Sequence, residues 1–161
     1  MDNAELNKQY KKLSELIKNT NSYSKEDLEL QGHWGKYLCV LVSGFVENAI
    51  SAVYIDFVSQ AASPHVSQYT LKSLEAIQNP KAQRFINVAS QFKKEWGVEL
   101  ETYFKENPDI KNAIDSIMQN RHLVAHGKST SISVSRVSEY LEKSIKLIEF
   151  LEAQCANRIA A

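Results

Sequence analysis

The run Asn120-Arg121-His122-Leu123-Val124-Ala125-His126-Gly127 gathers two imidazoles and a guanidinium on one short segment. On a helix, His122 and His126 lie about 40° apart round the axis and face the same way, whereas Arg121 and His126 diverge by about 140°. Three kinds of chemistry fit. The His-x-x-x-His spacing is that of zinc metalloproteases, but that chemistry wants a Glu after the first His; Leu123 stands there, and no third ligand is near. Positive side chains in a last helical turn also have a structural use, because they complement the free carbonyls and the negative helix end. The third possibility is phosphodiester chemistry. There Arg121 clamps a phosphate, and the His126 imidazole moves the proton.

Glu47 is the second residue of interest. Between Lys36 and Asp56 it is the one charged side chain. A carboxylate in so apolar a segment must be paired, hydrogen-bonded or protonated. A cation such as Arg121 or His126 would satisfy it, and so would a structural contact to Tyr or Ser. Asn48, one residue on, can play a similar part.

The elements that must position these groups read as helices. Leu6, Tyr10, Leu13 and Ile17 recur at i, i+4, i+7 and i+11, the one-sided spacing of an amphipathic helix over roughly residues 2–19, which Thr20-Asn21-Ser22 then interrupts. Ser24 with Asp27 suggests a capped start to a long helix ending near residue 60. From Tyr37 to Ile55 its apolar residues go nearly all round the cylinder, which marks it as the central, buried helix. A membrane span is disfavoured, because Ser43, Glu47, Asn48 and Ser51 sit mid-segment. Ser63-Pro64, Asn79-Pro80 and Asn107-Pro108 each place an oxygen cap before a proline, so helices are expected from about 64, 80 and 108. Trp96-Gly97 should end the second of these, with a short helix restarting before Asn107. Gly127 is the natural stop after the helix that carries Arg121. Beyond a serine-rich stretch, Val137, Leu141, Ile145, Ile148 and Leu151 line a last helix.

Composition agrees with this reading. The 161 residues carry 19 Lys+Arg and 19 Asp+Glu, with only five Gly and three Pro, too little turn chemistry for a many-stranded barrel or sandwich. One domain over 1–161 is expected. Zero net charge argues against bulk attraction to nucleic acid or to an anionic membrane. Charge is nonetheless uneven: Lys81, Arg84, Lys93 and Lys94 face only Glu95 in one stretch, and a second basic stretch runs over 121–146. The two stretches suggest a phosphate-binding cleft between the 81–96 helix and the last helix. Cys39 and Cys155 are isolated and read as packed thiols in a reducing, cytoplasmic setting.

Arg121-His122-x-x-x-His126-Gly127 resembles the Arg-x(4–6)-His motif of the HEPN superfamily. The run from His33 to Asn48 resembles the long central helix of its RiboL-PSP-HEPN group. The resemblance implies an all-α, up-and-down helical bundle that dimerises, and metal-independent endoribonuclease activity. It makes Arg121 and His126 the motif pair, His122 the polar residue after the Arg, and Glu47 the acidic residue on the facing helix. Some HEPN toxins carry a Tyr two residues after the His, a target of a partner nucleotidyltransferase; Lys128 stands there, so that control is not expected. The expected substrate is RNA, with no cofactor, no metal and no membrane. Asn120 and His122 would hold the helix end or touch substrate, and Lys128 and Arg136 would contact the RNA backbone. The same resemblance admits a toxin or defence-system RNase with a cognate antitoxin or associated protein. The alternative is a catalytically silent helical dimer binding nucleotide, nucleic acid or a protein partner.

Overall fold

The computed structural model describes residues 1–24 and 26–159, with side chains through residue 156. Among them the chain forms seven helices and no strand: α1 Ala4–Tyr23, α2 Leu28–Ala61, α3 Pro64–Glu75, α4 Ala82–Phe92, α5 Lys94–Glu106, α6 Pro108–Ala125 and α7 Val134–Ile159. The all-α expectation holds.

The reason lies in α2. Leu38, Cys39, Val42, Phe45, Val46, Ala49, Ile50, Val53 and Tyr54 are all buried on it, and α1, α3, α6 and α7 pack around them. By length and mean hydropathy α2 could cross a membrane, but 56% of its most apolar stretch is covered by the other helices, so that apolar surface already forms the core of the bundle. The Cys39 thiol lies 3.6 Å from the Ile117 carbonyl oxygen, Gly35 packs against the Ile132 backbone, and Lys143 on α7 pairs with Asp109 on α6. These contacts run α6 antiparallel to α2 and bring its C-terminal end to the N-terminal half of α2.

Local expectations fare unevenly at the boundaries. Helix α1 continues through Thr20-Asn21-Ser22 to Tyr23, because Thr20 is buried and its hydroxyl donates back to the Leu16 carbonyl at 2.7 Å. Ser24 closes α1 and does not open α2; Asp27 is the N-cap, accepting from the Leu30 N–H at 2.9 Å. Helices α3 and α6 do begin at Pro64 and Pro108, but neither Ser63 nor Asn107 makes a side-chain cap. Asn107 instead donates its amide to the Tyr103 carbonyl at the end of α5. Asn79-Pro80 is a turn, with Asn79 in the left-handed region (φ +50°), which Asn tolerates better than most residues. Helix α4 therefore starts later, at Ala82, and the Ala82 N–H, which has no partner within the helix, is held by Asp115 of α6 at 2.8 Å. Trp96-Gly97 lies inside α5, the break having come at Lys93. A Cβ on Gly97 would sit 1.7 Å from the Ser90 hydroxyl, so glycine is there for close packing of α5 on α4.

Candidate active site at the end of helix α6

Ile110, Ile114, Ile117 and Met118 form the buried stripe of α6. Arg121, seven residues after Ile114, continues that stripe beyond the point where the core covers it. It is half-buried and makes no hydrogen bond or ion pair with any described residue. A guanidinium stripped of part of its water and given no carboxylate in return can receive an anion.

The helix stops as the glycine predicts. Gly127 has φ +63°, its N–H reaches the Val124 carbonyl at 3.1 Å, and the Lys128 N–H reaches the Leu123 carbonyl at 2.9 Å, the paired bonds of a Schellman ending. His126 is thus the C-cap and not a helical residue. Its ring turns back onto that of His122, with centroids 4.4 Å apart and planes tilted by 56°. Both imidazoles are exposed. This contact keeps His126 on the His122 side of α6, about a quarter turn or more from Arg121. Asn120 steadies the ending: its amide donates to the Ser116 carbonyl at 2.9 Å and its oxygen accepts from the Thr130 hydroxyl in the following loop. That loop is pressed against α2 where Gly35 has no side chain; a Cβ there would meet the Ile132 oxygen at 1.9 Å.

Other expected site residues lie elsewhere. Glu47 accepts a hydrogen bond from the Asn79 N–H and is half-buried. In the antiparallel register it sits level with the start of α6, on the order of 15 Å along the axis from Arg121. The expectation that it pairs with Arg121 or His126 of its own chain is corrected: it secures the α3–α4 turn. Asn48 is exposed, beside Leu13, Leu41 and Gly44, and does not reach the end of α6. Lys128 is exposed on the turn, whereas Arg136 is engaged with Glu139 at 2.8 Å. Gln119 escaped the sequence reading, although Asp115, Gln119, His122 and His126 are spaced four, three and four apart on one face. Gln119 takes the Lys81 ammonium at 3.1 Å. Among the described residues no third His, Cys, Asp or Glu joins the two histidines in a set that could hold a metal.

The expected cleft between the 81–96 helix and the last helix is also corrected, because α4 packs chiefly on α5 and α7 on α2 and α6. Both cysteines are free and buried, and burial pushes each thiol up to about 12.

A family model for RiboL-PSP-HEPN matches residues 4–157, spanning the α2 run, the end of α6 and most of α7. The chain belongs to the RiboL-PSP-HEPN family. Membership in HEPN suggests a nuclease-like or RNA-related function. No curated protein and no solved structure matches the chain significantly.

Proposed function

We propose that this HEPN protein is a metal-independent endoribonuclease acting as a homodimer. The observation that carries the reading is Arg121: half-buried, its guanidinium without a partner among the described residues, on the same helix end as two exposed imidazoles. In the proposed reaction a ribose 2′-hydroxyl attacks the adjacent phosphorus. One imidazole accepts the hydroxyl proton as the bond forms, and the 5′-oxygen leaves with a proton returned to it, giving a 2′,3′-cyclic phosphate and a 5′-hydroxyl. His126 is the proton-transfer residue, and Arg121 stabilises the charge building on the phosphoryl oxygens. His122 supports His126 through the ring contact, and Lys128 contacts the RNA backbone.

The test is cleavage of a mixed-sequence RNA in EDTA. The wild-type chain should cleave it, and His126→Ala and Arg121→Ala should each lose on the order of a hundredfold or more. Neither side chain is in the apolar core, so the thermal midpoint should stay within about 4 °C. Wild-type activity that persists in His126→Ala would defeat the assignment, and strict dependence on added zinc would revive the His-x-x-x-His metal reading. RNA binding with no cleavage by the wild type would favour the silent binding module.

A further inference from the structure

Helices α3 and α4 enclose a groove of about 460 Å³ that no proposed catalytic step uses. Its walls are Tyr69, Thr70 and Ser73 from α3 and Arg84, Gln91 and Phe92 from α4, with no carboxylate among the lining residues. Arg84 is exposed, and its guanidinium makes no hydrogen bond or ion pair with any described residue. Tyr69 is 76% exposed, unusual for so large an aromatic ring, while Phe92 is stacked on buried Tyr54 at 4.6 Å and is half-buried at the groove. The Thr70 and Ser73 hydroxyls donate to the Val66 and Tyr69 carbonyls, so toward the groove they offer acceptor oxygens. The result is a free guanidinium, a free aromatic face, an aromatic wall and neutral hydrogen-bonding groups. A phosphate and an unpaired base need this combination: the cation for the phosphate, the rings for the π-face, the amide and hydroxyls for the base edge.

A contact at the start of α4 links the Arg84 end of the groove to α6. Lys81 hydrogen-bonds Gln119, which shares a face of α6 with His122 and His126, and Arg84 follows Lys81 by three residues on the first turn of α4. A chain of cations and imidazoles therefore runs from the α6 ending to the groove, on the order of 25 Å along the two helices.

We propose that the α3–α4 groove is a second RNA subsite, holding one unpaired nucleotide of the substrate with its phosphate on Arg84 and its base against Tyr69 and Phe92. This rests on the ribonuclease reading for its substrate class, and its test is separable from catalysis. Binding of a fluorescent single-stranded RNA is measured with the full chain in a His126→Ala background, so that the probe is not consumed. Adding Arg84→Ala should weaken binding about tenfold and lower the slope of log affinity against log salt by about one. Adding Tyr69→Ala should weaken it about as much with the slope unchanged, while Tyr69→Phe retains affinity. Lys94→Ala, an exposed cation outside the groove, controls for general charge, and duplex RNA of the same length should compete poorly because its bases are stacked. Arg84→Ala and Tyr69→Ala binding like Lys94→Ala would overturn the subsite, as would absence of RNA binding by the His126→Ala chain. Loss of binding in both groove variants supports the subsite even if the wild-type chain proves unable to cleave, whereas cleavage with unaltered groove-variant binding leaves the catalytic reading standing and removes this one.

Discussion

At the scale of single residues, charge and burial separate groups that a sequence treats alike. Arg84, Arg121 and Arg136 are all arginines in basic stretches, yet Arg136 is paired with Glu139, whereas the other two form no ion pair among the described residues. Sequence can name the residue type; only the fold decides whether a partner is in reach, and the misplaced pairing of Glu47 has the same origin. The α6 ending, by contrast, was legible, since the Gly127 stop and the shared side of His122 and His126 follow from local backbone rules. The cysteines yield a prediction. Burial is the main cause raising both thiols from an ordinary 9.0 to about 12, with Glu152 adding to the effect at Cys155. A thiol-specific disulfide reagent at pH 8 should leave both unreacted in the native chain and label both in denaturant. The unfolded chain ionises these thiols first, so their contribution to stability is complete below about pH 8.5 and is lost as pH rises toward 12. A midpoint that improved between pH 9 and 11, in a chain that Cys→Ala at both positions flattened, would contradict that sign.

Among the elements, long periodic segments were readable and their joints were not. The core helix α2 and the starts of α3 and α6 followed from apolar periodicity and from proline at the first turn. The start of α4 depends on Asp115, 33 residues away, and Gly97 is set by Ser90 on a neighbouring helix, so no local pattern could place them. Gly35 is the joint nearest the candidate site. Its missing side chain lets the loop after α6 lie on α2, and that loop holds Asn120 through Thr130. Gly35→Ala has only backbone to push against, and should cost about 1–3 kcal/mol by overpacking and lower RNA cleavage by shifting the α6 ending. Gly32→Ala is the matched control: nothing lies within 4 Å of its added methyl, and the change should hold or raise stability by about 0.5–1 kcal/mol. Equal midpoints for the two variants in thermal unfolding followed by circular dichroism would show that the Gly35 contact does not constrain the loop.

For the whole molecule, the open question is how Arg121 and His126 meet one phosphate when α6 turns them apart. Helix α6 runs unbroken to Ala125 and the His126 ring lies against His122, on a different side of the helix from Arg121. A second copy of the chain resolves this if each subunit lends one group to a shared site, as an isologous interface allows. The proposed dimer has an available surface on α2, where Leu30, Tyr37 and Val40 are exposed and Leu41 and Gly44 are half-exposed along the side opposite the core. That surface extends over the N-terminal half of α2, the half that meets the end of α6. Tyr37→Glu should therefore yield a monomer by sedimentation and abolish cleavage although every active-site residue is intact. The decisive experiment mixes two dead chains, Arg121→Ala and His126→Ala, under conditions that allow exchange. If each site takes Arg121 from one subunit and His126 from the other, every mixed dimer has one complete site and one doubly empty one. Because random exchange makes about half of all dimers mixed, the mixture should recover about one quarter of wild-type activity. A site contained within one chain predicts no recovery at any mixing ratio, and a wild-type chain that sediments as a monomer while cleaving RNA would end the shared-site account.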